Sequence, residues 1–273
     1  MVKKLFKHEF FAFWRVMVIV YAILLTVAGA GRIIQFFETD STTYAIVFRF
    51  SCTTYGISVA AALGFAFVLG IVRFYKNLFS AEGYLTHTLP VTPSQHIWVK
   101  AITAVSVQLV TILVVLLSGC IITAGDMLSE IWKSAMYLLD KVFGAIGFQG
   151  VVIGLELLVF LILVLFSNLM LYYTCISIGQ LSKKNRILAA VGAYFVYYIL
   201  SQVVSTILLV VVSMLSVSGV LDRFVARLMI FSLQHPYILV HSTIWIFALL
   251  PIAAILVEFL IIRRIISRKL NLE

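Results

Sequence analysis

Charge is scarce in this chain, and acidic charge most of all. Of 273 residues, 11 are Asp or Glu and 20 are Lys or Arg, while 63% are hydrophobic. A soluble domain of this length needs more polar surface than that, so the composition excludes one. Cysteine is rare as well. Cys52, Cys120 and Cys175 lie inside apolar runs. Their odd number and wide spacing give neither a disulfide framework nor a metal-ligand pattern, and they read as small apolar packing residues. Catalytic signatures are absent: the sequence has no GxxxxGK[ST], HExxH, GxSxG or CxxC. The chain therefore has no recognisable motif with which to bind ATP itself. His8, His87, His96, His235 and His241 are scattered, and no two share a metal-binding spacing.

What the chain does have is six apolar stretches. A helix rises about 1.5 Å per residue, so a hydrocarbon core of roughly 30 Å takes about 20 residues to cross. The spans are placed near 16–36, 50–72, 101–125, 157–178, 187–216 and 238–262. Residues 50–72 and 101–125 hold no charge between Arg49 and Arg73 or between Lys100 and Asp126. The expected fold is all-α: one polytopic transmembrane domain over residues 1–273 with six membrane helices.

Orientation follows from the basic residues. Segments 1–15, 73–100, 179–186 and 263–273 hold fourteen of the 20 lysines and arginines, and the alternate segments hold six along with most of the acids. Basic flanks resist translocation, so both termini are expected in the cytoplasm. The net charge of +9 is thus a topology signal, and no nucleic-acid partner is expected. One alternative touches the first span, whose basic start and Ala28-Gly29-Ala30 resemble a secretory signal; its length, its aromatics and Glu9 argue against cleavage.

Residues 1–15 read as an amphipathic helix on the inner membrane surface. Leu5, Phe6, Phe10, Phe13 and Trp14 share one face and Lys4, Lys7, His8 and Arg15 the other, an arrangement that meets both acyl chains and headgroups. The alternative is an extended start of span one. Residues 126–143 and 222–236 read as helices on the outer face, the second stopped by Pro236 and either re-entrant or lying on the membrane surface. Gly150 and Gly154 form a GxxxG pair that permits close helix approach. Two carboxylates lie near span ends, Glu156 at the outer boundary and Glu258 at the inner one. Snorkelling or an ion pair between helices is the expected reading for both, with a proton or substrate role as the other. The lack of midplane acids disfavours an ion-coupled carrier.

The most distinctive segment is the cytoplasmic connection 73–100. Tyr75, Leu78 and Phe79 stand at i, i+3 and i+4, and Gly83 is placed to end their helix. Leu89-Pro90-Val91-Thr92-Pro93 is expected to be extended, with Ser94 capping the next helix. An apolar knob on a short cytoplasmic helix suits a groove on a partner protein; equally, these aromatics could rest on lipid.

This connection resembles that of the permease subunits of ATP-binding-cassette exporters of the second bacterial export class, especially those of Gram-positive bacteria. Glu82-Gly83-Tyr84-Leu85-Thr86 and Thr88-Leu89-Pro90-Val91 match a run common in that family, and the tail Lys269-Leu270-Asn271-Leu272-Glu273 is similar too. His87 departs from the pattern, where an apolar or aromatic residue is expected. The resemblance implies a multi-pass protein of the bacterial plasma membrane, paired with a second permease subunit as a homodimer or with a similar chain. It implies a separate ATPase subunit that carries the ATP and magnesium. Tyr75, Leu78, Phe79, Glu82, Gly83 and Tyr84 would then touch that ATPase. A non-transporting membrane scaffold, an ion-coupled secondary transporter or an intramembrane enzyme are the competing readings.

Overall fold

The computed structural model describes residues 2–37, 39, 41–80, 91–123, 129–134, 136–137, 147–182, 184–234 and 236–268. All regular structure among them is helical. Six helices are long and apolar enough to cross a membrane, which marks a multi-pass membrane protein. The helices cluster into two compact units, residues 1–145 and 146–273.

Unit 1 contains α1 (Val2–Gln35), α2 (Thr42–Phe79) and α3 (Pro93–Ile122), and each packs against the other two. At 34, 38 and 30 residues they exceed the length a bilayer core requires. Helix α1 is continuous. The buried residues Glu9, Phe13, Met17, Tyr21, Leu24, Ala28 and Gly31 recur every three or four positions, so one protein-facing stripe runs through the expected boundary at residue 15. The amphipathic start is therefore the first part of the first long helix, as the alternative had it. Phe13 belongs to the packed stripe, Leu5, Phe6 and Phe10 are half-buried, and Trp14 is exposed. Phe6 stacks on Phe10, and Phe10 on Trp14.

Local chemistry sets the ends of α2 and α3. Ser41 caps α2, its Oγ accepting from the Thr43 amide at 3.2 Å. Thr92, not Ser94, caps α3. Its side chain accepts from the Gln95 amide, and the Gln95 side chain accepts from the Thr92 amide at 3.1 Å. Pro93 explains the earlier start: its fixed φ suits the first helical position, where no amide hydrogen is required. Helix α2 ends at Phe79 with Ser80 extended, four residues before Gly83, which lies outside the described residues.

Unit 2 contains α4 (Phe148–Gly179), α5 (Arg186–Val217), α6 (Val220–Gln234) and α7 (Pro236–Arg268). Helix α4 packs against both α7 and α5, and α6 touches α5 and α7. Gly219, at φ +69°, allows the turn from α5 into α6. Helix α6 covers nearly all of the segment 222–236 that was expected to be helical. The close approach that the GxxxG pair permits is not made at Gly154 within this chain, because a Cβ there would meet nothing within 4 Å. It occurs at Gly179 instead, where a Cβ would lie 2.7 Å from both the Ala190 Cβ and the Arg186 carbonyl oxygen. Of segment 126–143, residues 129–134 and 136–137 are helical, with Ile131, Trp132 and Tyr137 exposed beside Glu130 and Lys133.

Candidate functional site

The strongest polar constellation lies at the base of the connection between α2 and α3. Arg73 and Asn77 stand one turn apart on α2, so they share a face. Lys100 comes from the second turn of α3, and Glu9 from α1 reaches both helices. The Lys100 ammonium donates to Glu9 Oε1 at 2.7 Å, the Asn77 amide to the same oxygen at 3.0 Å, and Arg73 Nη2 to Glu9 Oε2 at 3.2 Å. Glu9 and Lys100 are only 6% and 5% exposed, so their charges are compensated within the protein rather than by water. The Arg73 guanidinium also lies 4.8 Å from the centre of the Phe13 ring, a favourable cation–aromatic arrangement.

Sequence reasoning missed this hub. It used Arg73 and Lys100 as topology signals and Glu9 only against signal cleavage. A signal was present, however: Glu9 is the one acid among the first 35 residues, set among bases. Such an acid needs a cationic partner once it leaves water.

Of the proposed coupling residues, Leu78 and Phe79 are buried at 0% and 5% exposure, so they do not form an exposed knob. They continue α2 into the core of unit 1, where Phe79 meets Phe74 edge-on with ring centres 5.7 Å apart. Burial is expected here, because α2 runs on as one helix and keeps its packed face. Tyr75 is half-buried. Glu82, Gly83 and Tyr84 lie outside the described residues, as does the rest of 81–90.

The two span-end carboxylates part company in unit 2. Glu156 on α4 is held across to α7: His241 Nδ1 lies 2.7 Å from its Oε2, and Trp245 Nε1 donates to its Oε1 at 2.9 Å. Gln149 lies against His241 Nε2 at 3.2 Å. Glu258 neither snorkels nor pairs. It is 6% exposed, its Oε2 has no hydrogen-bond partner, and no ion pair reaches it among the described residues. Arg263 and Arg264 are five and six positions on, which turns them off the Glu258 face; partners on one helix stand at i+3 or i+4. Both are exposed and line a separate recess with Leu260 and Ser267. Glu258 lines a cleft among α4, α5 and α7 instead.

Comparison with known protein families, curated proteins and solved structures finds no match to this chain.

Proposed function

We propose that this chain is the membrane-spanning permease subunit of an ATP-driven exporter of the bacterial plasma membrane, working as a dimer and coupled to a separate ATPase subunit through the connection 80–92. One observation carries the reading. Glu9 ties the helix that enters this connection to the helix that leaves it, and ties both to the N-terminal helix. A push on the connection would therefore reach three membrane helices together rather than bend one. A motor works on its partner only by favouring one of two arrangements, and a braced lever transmits that preference with little loss. The loop resemblance supports the same reading.

The burial of Leu78 and Phe79 changes how the coupling face is tested. Substituting either would disturb packing, whereas Glu82→Ala and Tyr84→Ala act on the connection itself. Full-length tagged chain purified from its native membranes should bring with it an ATP-hydrolysing subunit. Its hydrolysis should lose its link to export in the Tyr84→Ala chain, while insertion and yield stay unchanged. Purified chain without any ATPase activity, or normal coupled export by that variant, would reject the proposal.

A further inference from the structure

The open-sided cleft that contains Glu258 has a volume of about 450 Å³, within the range of small-molecule sites. Helix α4 supplies Thr174 and Cys175, α5 supplies Ala193 and Tyr197, and α7 supplies Ala254 and Glu258. The remaining lining is aliphatic, so one buried carboxyl group faces a largely apolar space whose other polar-bearing side chains are Thr174, Cys175 and Tyr197. That combination has a chemical meaning. A buried carboxylate without a partner is heavily penalised and calls for a positive charge. The protein withholds one, because Arg263 and Arg264 line another recess and no ion pair reaches Glu258 among the described residues. An apolar wall rewards an apolar body and cannot replace the hydration shell of a small inorganic cation. The best occupant is a cation whose charge is spread over, or surrounded by, hydrocarbon, since it loses little on leaving water. Tyr197 adds an aromatic group, to which such cations are drawn.

We propose that this cleft binds a lipophilic organic monocation, with Glu258 as its counter-charge. The proposal goes beyond the coupling role, since binding requires this chain alone and no ATPase. Its failure and the failure of the exporter reading are therefore separate results.

Equilibrium binding of radiolabelled tetraphenylphosphonium to the full chain in lipid nanodiscs provides the test. Saturable binding of one cation per chain is expected. Glu258→Gln, which is nearly isosteric, should weaken binding at least tenfold. Ala193→Phe, which fills the cleft with Glu258 in place, should weaken it comparably, and both variants should keep the helical circular dichroism of the parent. Tetraphenylborate has the same shape and the opposite charge, and it should not displace the bound cation from the unaltered chain. This last measurement needs no variant to fold. Non-saturable uptake, undiminished affinity in Glu258→Gln, or equal displacement by tetraphenylborate would each overturn the proposal, reducing the cleft to an apolar surface with a neutral acid.

Discussion

Unit 1 and unit 2 treat their buried polar groups in opposite ways. Unit 1 is tied along its length. Glu9 joins three helices at one end, Tyr21 meets Thr111 at 2.8 Å further along, and Tyr55 meets Ser118 at 2.9 Å. Gln35 then reaches the Ile122 carbonyl at 2.9 Å near the other end. Gln108, buried with no partner for its amide among the described residues, is an exception. Unit 2 is tied between helices at Glu156, toward one end of α4, while toward the other end Glu258 is left unmatched. Helix α5 has no buried residue. Apolar attraction alone cannot hold helices together in lipid, because the tails are as apolar as leucine; packing and polar ties must do it. The placement of ties thus sets unit 1, braced along its length, apart from unit 2, which carries a cleft beside Glu258.

The largest way to break this contrast is Glu9→Ala. The substitution removes the carboxylate that three helices share, and loss of one partner of a buried ion pair costs about 3–5 kcal/mol. Unfolding of the purified chain in mixed micelles should shift by that amount. Glu156→Ala should shift it less, since His241 and Trp245 are part-exposed and can turn to water or headgroups. Equal losses would erase the distinction between the units.

A middle-sized effect is expected inside unit 2. Gly179→Ala drives a methyl group against the Arg186 carbonyl and Ala190, where backbone rather than a flexible side chain must yield. Such overpacking costs about 1–3 kcal/mol. Gly154→Ala places the same methyl in open space and should be neutral, or should gain roughly 0.5–1 kcal/mol from the better helix former. Thermal denaturation of the two variants side by side sharpens the comparison, because it separates a glycine needed for contact from one that is merely present. A stable Gly179→Ala would show that α5 is free to lift from α4.

Much of the fold was legible, because length and hydropathy dictate membrane helices almost directly. The six spans fall within the six long helices at nearly every position, although α1, α2, α3 and α4 begin well before their spans and α2 and α7 run on after theirs. The cap of α3 was misplaced by two residues because Ser94 and Thr92 are both capping types, and only Pro93 between them decides. The site was less legible. Arg73, Lys100 and Glu9 are each ordinary span-end residues, and their meeting depends on which helices pack together, which hydropathy does not encode. Glu258 was expected to snorkel or to pair, but Arg263 and Arg264, the bases that follow it on α7, are separated from it by helical phase. GxxxG was uninformative for a related reason: the motif permits a close approach but does not require a partner.

The smallest expected effect tests how much the ties along unit 1 contribute singly. Thr111 gives its hydroxyl hydrogen to the Val107 carbonyl at 2.8 Å, so Tyr21 is the donor in the bond between α1 and α3. Tyr21→Phe therefore removes one donor and leaves Thr111 with its own hydrogen still bonded. No buried donor is orphaned, and the loss should be only about 0.6 kcal/mol, the average for such bonds between membrane helices. Thr111→Val, by contrast, leaves the buried Tyr21 hydroxyl without an acceptor and should cost more, up to about 1–3 kcal/mol. Denaturation of the two single variants and the double variant isolates the coupling between them. If Tyr21→Phe costs as much as Thr111→Val, the direction of the bond is wrong. If neither matters, the stiffness of unit 1 comes from the Glu9 hub and side-chain packing alone.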